Sequence, residues 1–388
     1  MKISLIQPSR NNLKYLKWSY DAIRKNQESH EVEICVADDA STDGTWEWCK
    51  EMMEKDPHFK AILNDTGKRL GHTILYDRLI NEVATHDVAM IYHADMYLCP
   101  GALDAIEQEI KPHTIVSLTR IEPPLHPDGP EKILRDFGVE PEEFKEKALL
   151  AFINSRVPNQ DITEGIFAPW AFYREDFQKI GGHDPLYAPQ SKEDSDIFNR
   201  FLLDGVSFIQ TWHGCVYHMT CRGSRRNTVD KAKNIYEDSP EWLAQNQRST
   251  RNFIRKWGHF VMHDALMKPI VPPKYDIGII LDDSRLLETL EPWCNTIYVK
   301  GDYSEYITKE QPNTLYDLKE RIKPFDNEKN NEILVEVGQS TFTQQDYQII
   351  QQLTQIIKQQ GQPGKFQLGN MVMEIVQMNE YQNNLINI

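Results

Sequence analysis

The chain predicts an α/β fold on an open sheet, with a second, smaller α/β domain behind it. Three observations lead there. Short apolar strands alternate with helices of amphipathic spacing. Those strands run into acidic or Gly-terminated turns. Three prolines in five positions then break the pattern at Pro269-Ile270-Val271-Pro272-Pro273. The division expected is residues 1–268 and 275–388.

Lys2-Ile3-Ser4-Leu5-Ile6-Gln7-Pro8-Ser9-Arg10 reads as a first strand running into a loop, and Leu13, Leu16, Tyr20 and Ile23 mark one face of a helix. The next strand, Val32 to Ala37, ends in Asp38-Asp39-Ala40-Ser41-Thr42-Asp43-Gly44. Open α/β sheets bind ligands beyond the carboxyl ends of their strands, so Asp38 and Asp39 fall where a ligand sits. Asp43 and Gly44 read equally well as an Asx turn capping the following helix. A third strand, Val88 to Tyr92, leads into His93-Ala94-Asp95-Met96-Tyr97-Leu98-Cys99-Pro100-Gly101, where the Asp95 carboxylate suits a hard divalent cation. Residues 119–160, rich in Pro and Glu, read as an insertion: a lid, part of a binding groove, or a plain surface excursion.

Downstream, Gly165-Ile166-Phe167-Ala168, Ala171-Phe172-Tyr173-Arg174-Glu175, Ile180-Gly181-Gly182-His183-Asp184 and Glu193-Asp194-Ser195-Asp196 follow in order. Ile197, Phe198, Phe201 and Leu202 give the last segment a buried helical face, which leaves Asp194 at the helix start, projecting into a cleft. A carboxylate there can act as a general base. It also simply complements the positive end of a helix dipole. Val206 to Gln210 reads as a strand, followed by two candidate histidine ligands, His218 and its rival His213.

Taken together, these segments resemble the family 2 glycosyltransferases of the GT-A fold. The carriers are the V-x-D-D-x-S-x-D-G-[ST] strand end, the [F/Y]-R-E helix start, the K-I-G-G-[F/H]-D turn and the E-D-x-D helix start. The metal-binding D-x-D turn is altered, with His93 in place of the first acid and Met96 in place of the last. The resemblance covers about residues 1–220. It implies a mixed sheet flanked by helices: a nucleotide-binding half (1–118), an insertion (119–160), and an acceptor half with a basic closing segment (161–268).

The same resemblance implies a nucleoside-diphosphate sugar donor, UDP-sugar favoured, with Pro8, Asp38, Asp39 and His93 at the nucleotide. Asp95 and His218 would hold Mn²⁺ or Mg²⁺. Asp194 would deprotonate the hydroxyl of an acceptor such as a glycan in an inverting reaction, with Glu193 orienting that acceptor. Arg222 and Arg225 would neutralise the diphosphate, since guanidinium groups grip phosphate oxygens bidentately. Arg248, Arg251, Arg255 and Lys256 extend this basic stretch, unless they form a helix paired with Glu237, Asp238 and Glu241. A second reading is a noncatalytic sugar-nucleotide or glycan-binding protein on the same scaffold. A sugar nucleotidyltransferase fits less well, because Gln7-Pro8-Ser9-Arg10-Asn11-Asn12 is no Gly-rich basic loop.

Composition bounds the rest. A net charge of -15 over 388 residues argues against strong nonspecific attraction to nucleic acid or anionic membrane. Six cysteines without a C-x-x-C pair read as reduced, buried thiols. No apolar window reaches the length of a membrane span and no leader pattern is present, so the expected location is cytoplasmic. Beyond the prolines, strands are expected at Tyr275–Leu281, Thr296–Val299, Glu332–Val337 and Met371–Val376. One glutamine-rich helix is expected from Asp346 to Gln359. This domain carries no motif that assigns it a role; acceptor choice and oligomerisation stay open.

Overall fold

The computed structural model describes residues 1–220 and 238–388. They form two compact units, one of residues 1–244, 263–270 and 388, the other of 245–262 and 271–387.

The first unit is built on ten strands: β1 (Lys2–Ser9), β2 (Glu31–Asp38), β3 (Phe59–Leu63), β4 (Val88–Ile91), β5 (Met96–Leu98), β6 (Thr114–Glu122), β7 (Lys132–Leu134), β8 (Ile162–Thr163), β9 (Trp170–Tyr173) and β10 (Ser207–His218). The main path runs β3-β2-β1-β4-β9-β6-β10-β5, with β7 on β6 and β8 on β10. β1 to β4 pair in parallel, while β9 runs antiparallel to both β4 and β6. β1 and β6 are buried almost end to end, as strands covered on both faces must be.

Helices α1 (Leu13–Asn26), α2 (Thr45–Lys55), α3 (Gly71–Arg78), α4 (Ala102–Glu109), α5 (Glu146–Ser155), α6 (Arg174–Lys179) and α7 (Glu193–Leu203) complete this unit. α1 buries Tyr15, Leu16, Ser19, Ala22 and Ile23 and leaves its charged residues outside, as its spacing requires. The segment after Trp212 is not separate from the strand before it. β10 is one strand to His218, with its register on β6 shifting between Thr211 and Cys215. Residues 119–160 are no plain excursion, for Phe137, Phe144, Leu149 and Phe152 pack with Tyr97 and Tyr217. Tyr217 Oη accepts from the Phe137 N–H at 3.0 Å and donates to the Gly138 carbonyl at 2.6 Å.

The second unit is a six-stranded sheet in the order β13-β12-β11-β14-β16-β15, from β11 (Ile277–Leu281), β12 (Thr296–Val299), β13 (Ile322–Pro324), β14 (Ile333–Val337), β15 (Gly364–Leu368) and β16 (Met371–Ile375). β13 and β15 escape the sequence reading, being short and carrying Pro324 in one case and Gly364 in the other. The expected glutamine-rich helix is two, Gln344–Gln351 and Leu353–Gln360, interrupted at Gln352.

A cut at Lys268 does not match these units, because most of helix α8 (Pro240–Trp257) belongs with the second. The physical reason is charge. Arg255 is fully buried and donates to Glu291 at 2.6 Å and to Glu310, while Arg251 donates to Glu310 at 2.8 Å. These two cations hold the second unit together and are spent there, which corrects their expected place in a diphosphate-closing segment. All five described cysteines, Cys35, Cys49, Cys99, Cys215 and Cys294, are free and buried. No described helix is long and apolar enough to cross a membrane.

Candidate active site

β2 delivers Asp38 and Asp39 to the carboxyl edge of the sheet. Asp39 Oδ1 accepts from Asn64 Nδ2 at 2.6 Å and from the Leu70 N–H at 2.9 Å, and Oδ2 accepts from the Gly71 N–H at 2.9 Å. Its oxygens therefore tie down the turn that opens α3. That turn needs glycine: Gly71 has φ +78°, and a Cβ would stand 2.0 Å from the Pro189 carbonyl oxygen. Asp38 is different. Its Oδ1 accepts from the Ser41 N–H at 3.0 Å, but Oδ2 is buried with no hydrogen-bonding partner among the described residues, and burial raises its pKa. Of the two, Asp38 keeps an oxygen unspent. Pro8 lies in β1 opposite Ala37. Asp43 does what the Asx-turn reading expects, accepting from the Thr45 N–H at 3.2 Å and from the Leu13 N–H at 2.9 Å.

His93, Asp95 and His218 come together, with one donor atom of each lying within 4.8 Å of the others. Register explains it. His218 at the end of β10 pairs with Met96, and the Met219 N–H donates to the Asp95 carbonyl at 3.0 Å. His218 Nε2 is 3.4 Å from Asp95 Oδ1, and its Nδ1 is 2.9 Å from Glu122 Oε1. Burial alone would lower the His218 pKa, but Asp95 and Glu122 lift it to about 9. Burial would likewise raise Asp95, but the His218 charge holds it down. Burial and the His218 charge push His93 down to about 3, so its ring is neutral and has a lone pair to give. His213 takes no part. It is exposed and sits 2.8 Å from Asp161.

Glu193 and Asp194 start α7, as their sequence predicts. The two residues before them, Ser191 and Lys192, both take positive φ, a costly conformation for residues with a side chain. Glu193 is buried and its Oε2 has no hydrogen-bonding partner among the described residues. Burial and the adjacent Asp194 charge push the Glu193 carboxyl well above the usual carboxylate range. Asp194 is half-buried, and burial raises it too. Asp196 belongs to the scaffold: it pairs with fully buried Arg200 at 2.8 Å, which also donates to the Ile180 carbonyl at 2.9 Å and to the Gly182 carbonyl at 2.5 Å. Arg222 and Arg225 lie outside the described residues.

Sequence reasoning missed four site residues. Tyr76 is raised by burial, with the charges of Asp194, Glu193 and Asp95 adding to the effect, and its ring centre lies 5.6 Å from those of His72 and His183. Burial lowers His72 to about 4, with Arg69 adding to the effect, and its ring is 6.5 Å from that of His93. Arg69 is near enough to Asp39 and Glu193 for both to act on it. Glu122 supports His218. The signal for Arg69 and His72 was Lys68-Arg69-Leu70-Gly71-His72, a basic Gly turn before a helix, and Tyr76 lies one turn after His72 on that helix; Glu122 ends a strand with no local mark.

Residues 4–181 match the family model for glycosyl transferase family 2. No match to a curated protein was found. Among solved structures, the mannosyltransferase PcManGT from Pyrobaculum calidifontis, in complex with GDP-Man and Mn²⁺, is 19% identical over 56% of this chain and 56% of its own, with TM-score 0.40. GalNAc-T7 with UDP, GalNAc and Mn²⁺ is 14% identical over 66% of this chain and 48% of its own, with TM-score 0.45. S. aureus TarS with UDP-GlcNAc is 16% identical over 66% of each chain, with TM-score 0.40. This chain thus spans little more than half the length of the first of them. The matched segment carries the Asp38-Asp39 strand end and the Asp95 turn on one mixed α/β sheet and ends at Gly181, and over it the chain is similar to glycosyl transferase family 2.

Proposed function

We propose that this protein is an inverting glycosyltransferase that moves a sugar from a nucleoside-diphosphate sugar, UDP-sugar favoured, to the hydroxyl of an acceptor such as a glycan. One observation carries this reading: one donor atom each of His93, Asp95 and His218 lies within 4.8 Å of the others, and a run of ring contacts from His218 through His93, His72 and Tyr76 to His183 leads from that cluster to the glycine turn before α7.

Asp38, with an oxygen to spare, binds the nucleoside, while Asp39 holds the turn that shapes the pocket; Pro8 lines it. Asp95 and His218 would hold a divalent cation, with neutral His93 offering a third donor to the cation or the nucleotide. Two imidazoles and one carboxylate favour Mn²⁺ over the harder Mg²⁺. When bound, the cation neutralises charge on the departing diphosphate. Asp194 removes the proton from the acceptor oxygen, which general-base catalysis makes worth about 10²–10⁴ in rate. Glu193 keeps its own proton at neutral pH and donates a hydrogen bond, so it orients the acceptor without competing as a base. Arg222 and Arg225 are proposed to add positive charge at the diphosphate.

The test is incubation with a panel of nucleotide sugars and Mn²⁺, with release of nucleoside diphosphate as the readout. Slow release by the native protein, lost in Asp194→Asn, is expected. Tight binding of a sugar nucleotide with no release, even with acceptor glycans added, would make this a binding protein on the same scaffold.

A further inference from the structure

The turn from α1 to β2 is tied rung by rung to β5 and the start of α4. Asn26, the last residue of α1, donates from Nδ2 to Tyr97 Oη at 3.1 Å and to the Leu98 carbonyl at 2.8 Å. Glu28 Oε1 accepts from the Gly101 N–H at 2.9 Å. His30 Nε2 then lies 2.8 Å from Asp104 Oδ1. This ladder brings one donor atom each of Glu28, His30 and Asp104 within 4.8 Å of the others. The His30 side chain is fixed there, being only 1% exposed, whereas Asp104 is 54% exposed and Glu28 is exposed as well. A held imidazole thus faces two carboxylates on a side open to water. The carboxylates repel one another, and a single ring nitrogen faces only one of them. His30 immediately precedes β2, at the opposite end of that strand from Asp38, so this group is separate from the candidate active site.

We infer that Glu28, His30 and Asp104 form a second cation site, suited to Zn²⁺, which pins the turn from α1 to β2 onto α4. One imidazole nitrogen and two carboxylate oxygens are a borderline donor set, which Zn²⁺ takes in a tetrahedron with water as the fourth ligand. Ligation through Nε2 leaves the ring proton on Nδ1. Two groups face that nitrogen, Met1 N at 2.9 Å and Glu107 Oε2 at 3.9 Å. Glu107 accepts the hydrogen bond from Nδ1–H, as carboxylates behind ligand histidines do, and Met1 N keeps its own contact with Glu107 at 2.7 Å. β5 and α4 continue the chain from the Asp95 turn, so an ion on Asp104 steadies the segment to which that turn belongs without touching the reacting groups.

The test is calorimetric titration of Zn²⁺ into the full chain, freed of metal by EDTA and dialysis, and into Glu28→Gln/Asp104→Asn, whose altered side chains are exposed and leave the core as it is. The native chain should bind one Zn²⁺ that the variant binds at least about ten- to a hundredfold more weakly, since losing even an outer partner of a ligand histidine costs that much. His218→Ala separates this site from the Asp95 cluster, because it should keep this ion and weaken only the other. A native chain that takes up a single Zn²⁺, lost in Glu28→Gln/Asp104→Asn and retained in His218→Ala, supports this site and counts against the Asp95 cluster. Identical isotherms for the native chain and Glu28→Gln/Asp104→Asn overturn the inference, whatever His218→Ala does.

Discussion

Nδ1 of His218 lies 2.9 Å from Oε1 of Glu122, so one carboxylate orients the ring and turns its other nitrogen towards Asp95. Carboxylate support of this kind sets the tautomer and raises the basicity of a ligand histidine. It also sets up a competition. With the His218 pKa lifted to about 9, the ring is protonated at neutral pH, and a cation must displace that proton to reach Nε2.

The first prediction follows from that competition. Mn²⁺ affinity should rise about tenfold per pH unit between pH 6 and 8, because ligation needs the neutral imidazole. Calorimetry in two buffers of different ionisation enthalpy should show about one proton released per ion bound at pH 7. His218→Ala should bind more weakly and release none. Binding that is indifferent to pH over this range would take His218 out of the ligand set.

A second prediction separates the two carboxylates of α7. Asp194→Asn should reduce turnover at least about a hundredfold while nucleotide binding stays near native. Glu193→Gln should keep most of the activity, because the amide resembles the protonated acid that burial and Asp194 enforce. Steady-state rates and nucleotide titrations of both variants check this. Loss of activity in Glu193→Gln comparable with that in Asp194→Asn would mean the proton sits on the other residue.

What was legible in the sequence had local marks. The Asp38-Asp39 strand end, the Asp95 turn and the start of α7 each join a period change to a polar cluster. His218 was named for its place on a strand, yet Glu122, which holds its ring, is 96 residues away in sequence and meets it only through the pairing of β6 and β10. Arg69, His72 and Tyr76 come into the site because Asp39 fixes the Leu70-Gly71 turn, a long-range bond no window of sequence contains. The basic helix misled for the opposite reason. Arg251 and Arg255 look solvent-facing and cationic, but their partners Glu291 and Glu310 lie far along the chain.

Those partners determine a third prediction. A chain ending at Lys268 keeps Arg255, Phe253, Ile254 and Trp257, all buried in the native protein, but loses Glu291 and Glu310. The cut strips away the unit on which Phe253, Ile254 and Trp257 are buried and bares their apolar side chains to water, a surface that promotes association. The truncated protein should therefore be poorly soluble even though the donor-site residues lie before the cut. Polar residues at Phe253, Ile254 and Trp257, with Arg251 and Arg255 left as solvated charges, should restore solubility and nucleotide binding. Expression of the two truncations and their size-exclusion profiles decide it; a soluble, monomeric 1–268 would contradict the account.

The last prediction concerns Lys274 in the second unit. It is 7% exposed, and its Nζ donates to the Arg255 carbonyl at 3.1 Å. Burial, with the charge of Arg321, pushes its pKa down to about 7, against about 10.4 in an unfolded chain. The folded value is the lower one, so between those two pH values the unfolded chain holds the extra proton, and stability rises with pH across that window. Below about pH 7 both states are protonated and the full penalty stands, on the order of 4 kcal/mol. Lys274→Met keeps the length of the side chain and gives up one hydrogen bond worth about 1 kcal/mol. The variant should be more stable than the native protein at pH 7, and the gap should narrow towards pH 9.5. Urea unfolding followed by tryptophan fluorescence at pH 7, 8 and 9.5 measures it, and a constant gap would show that Lys274 stays charged inside the fold.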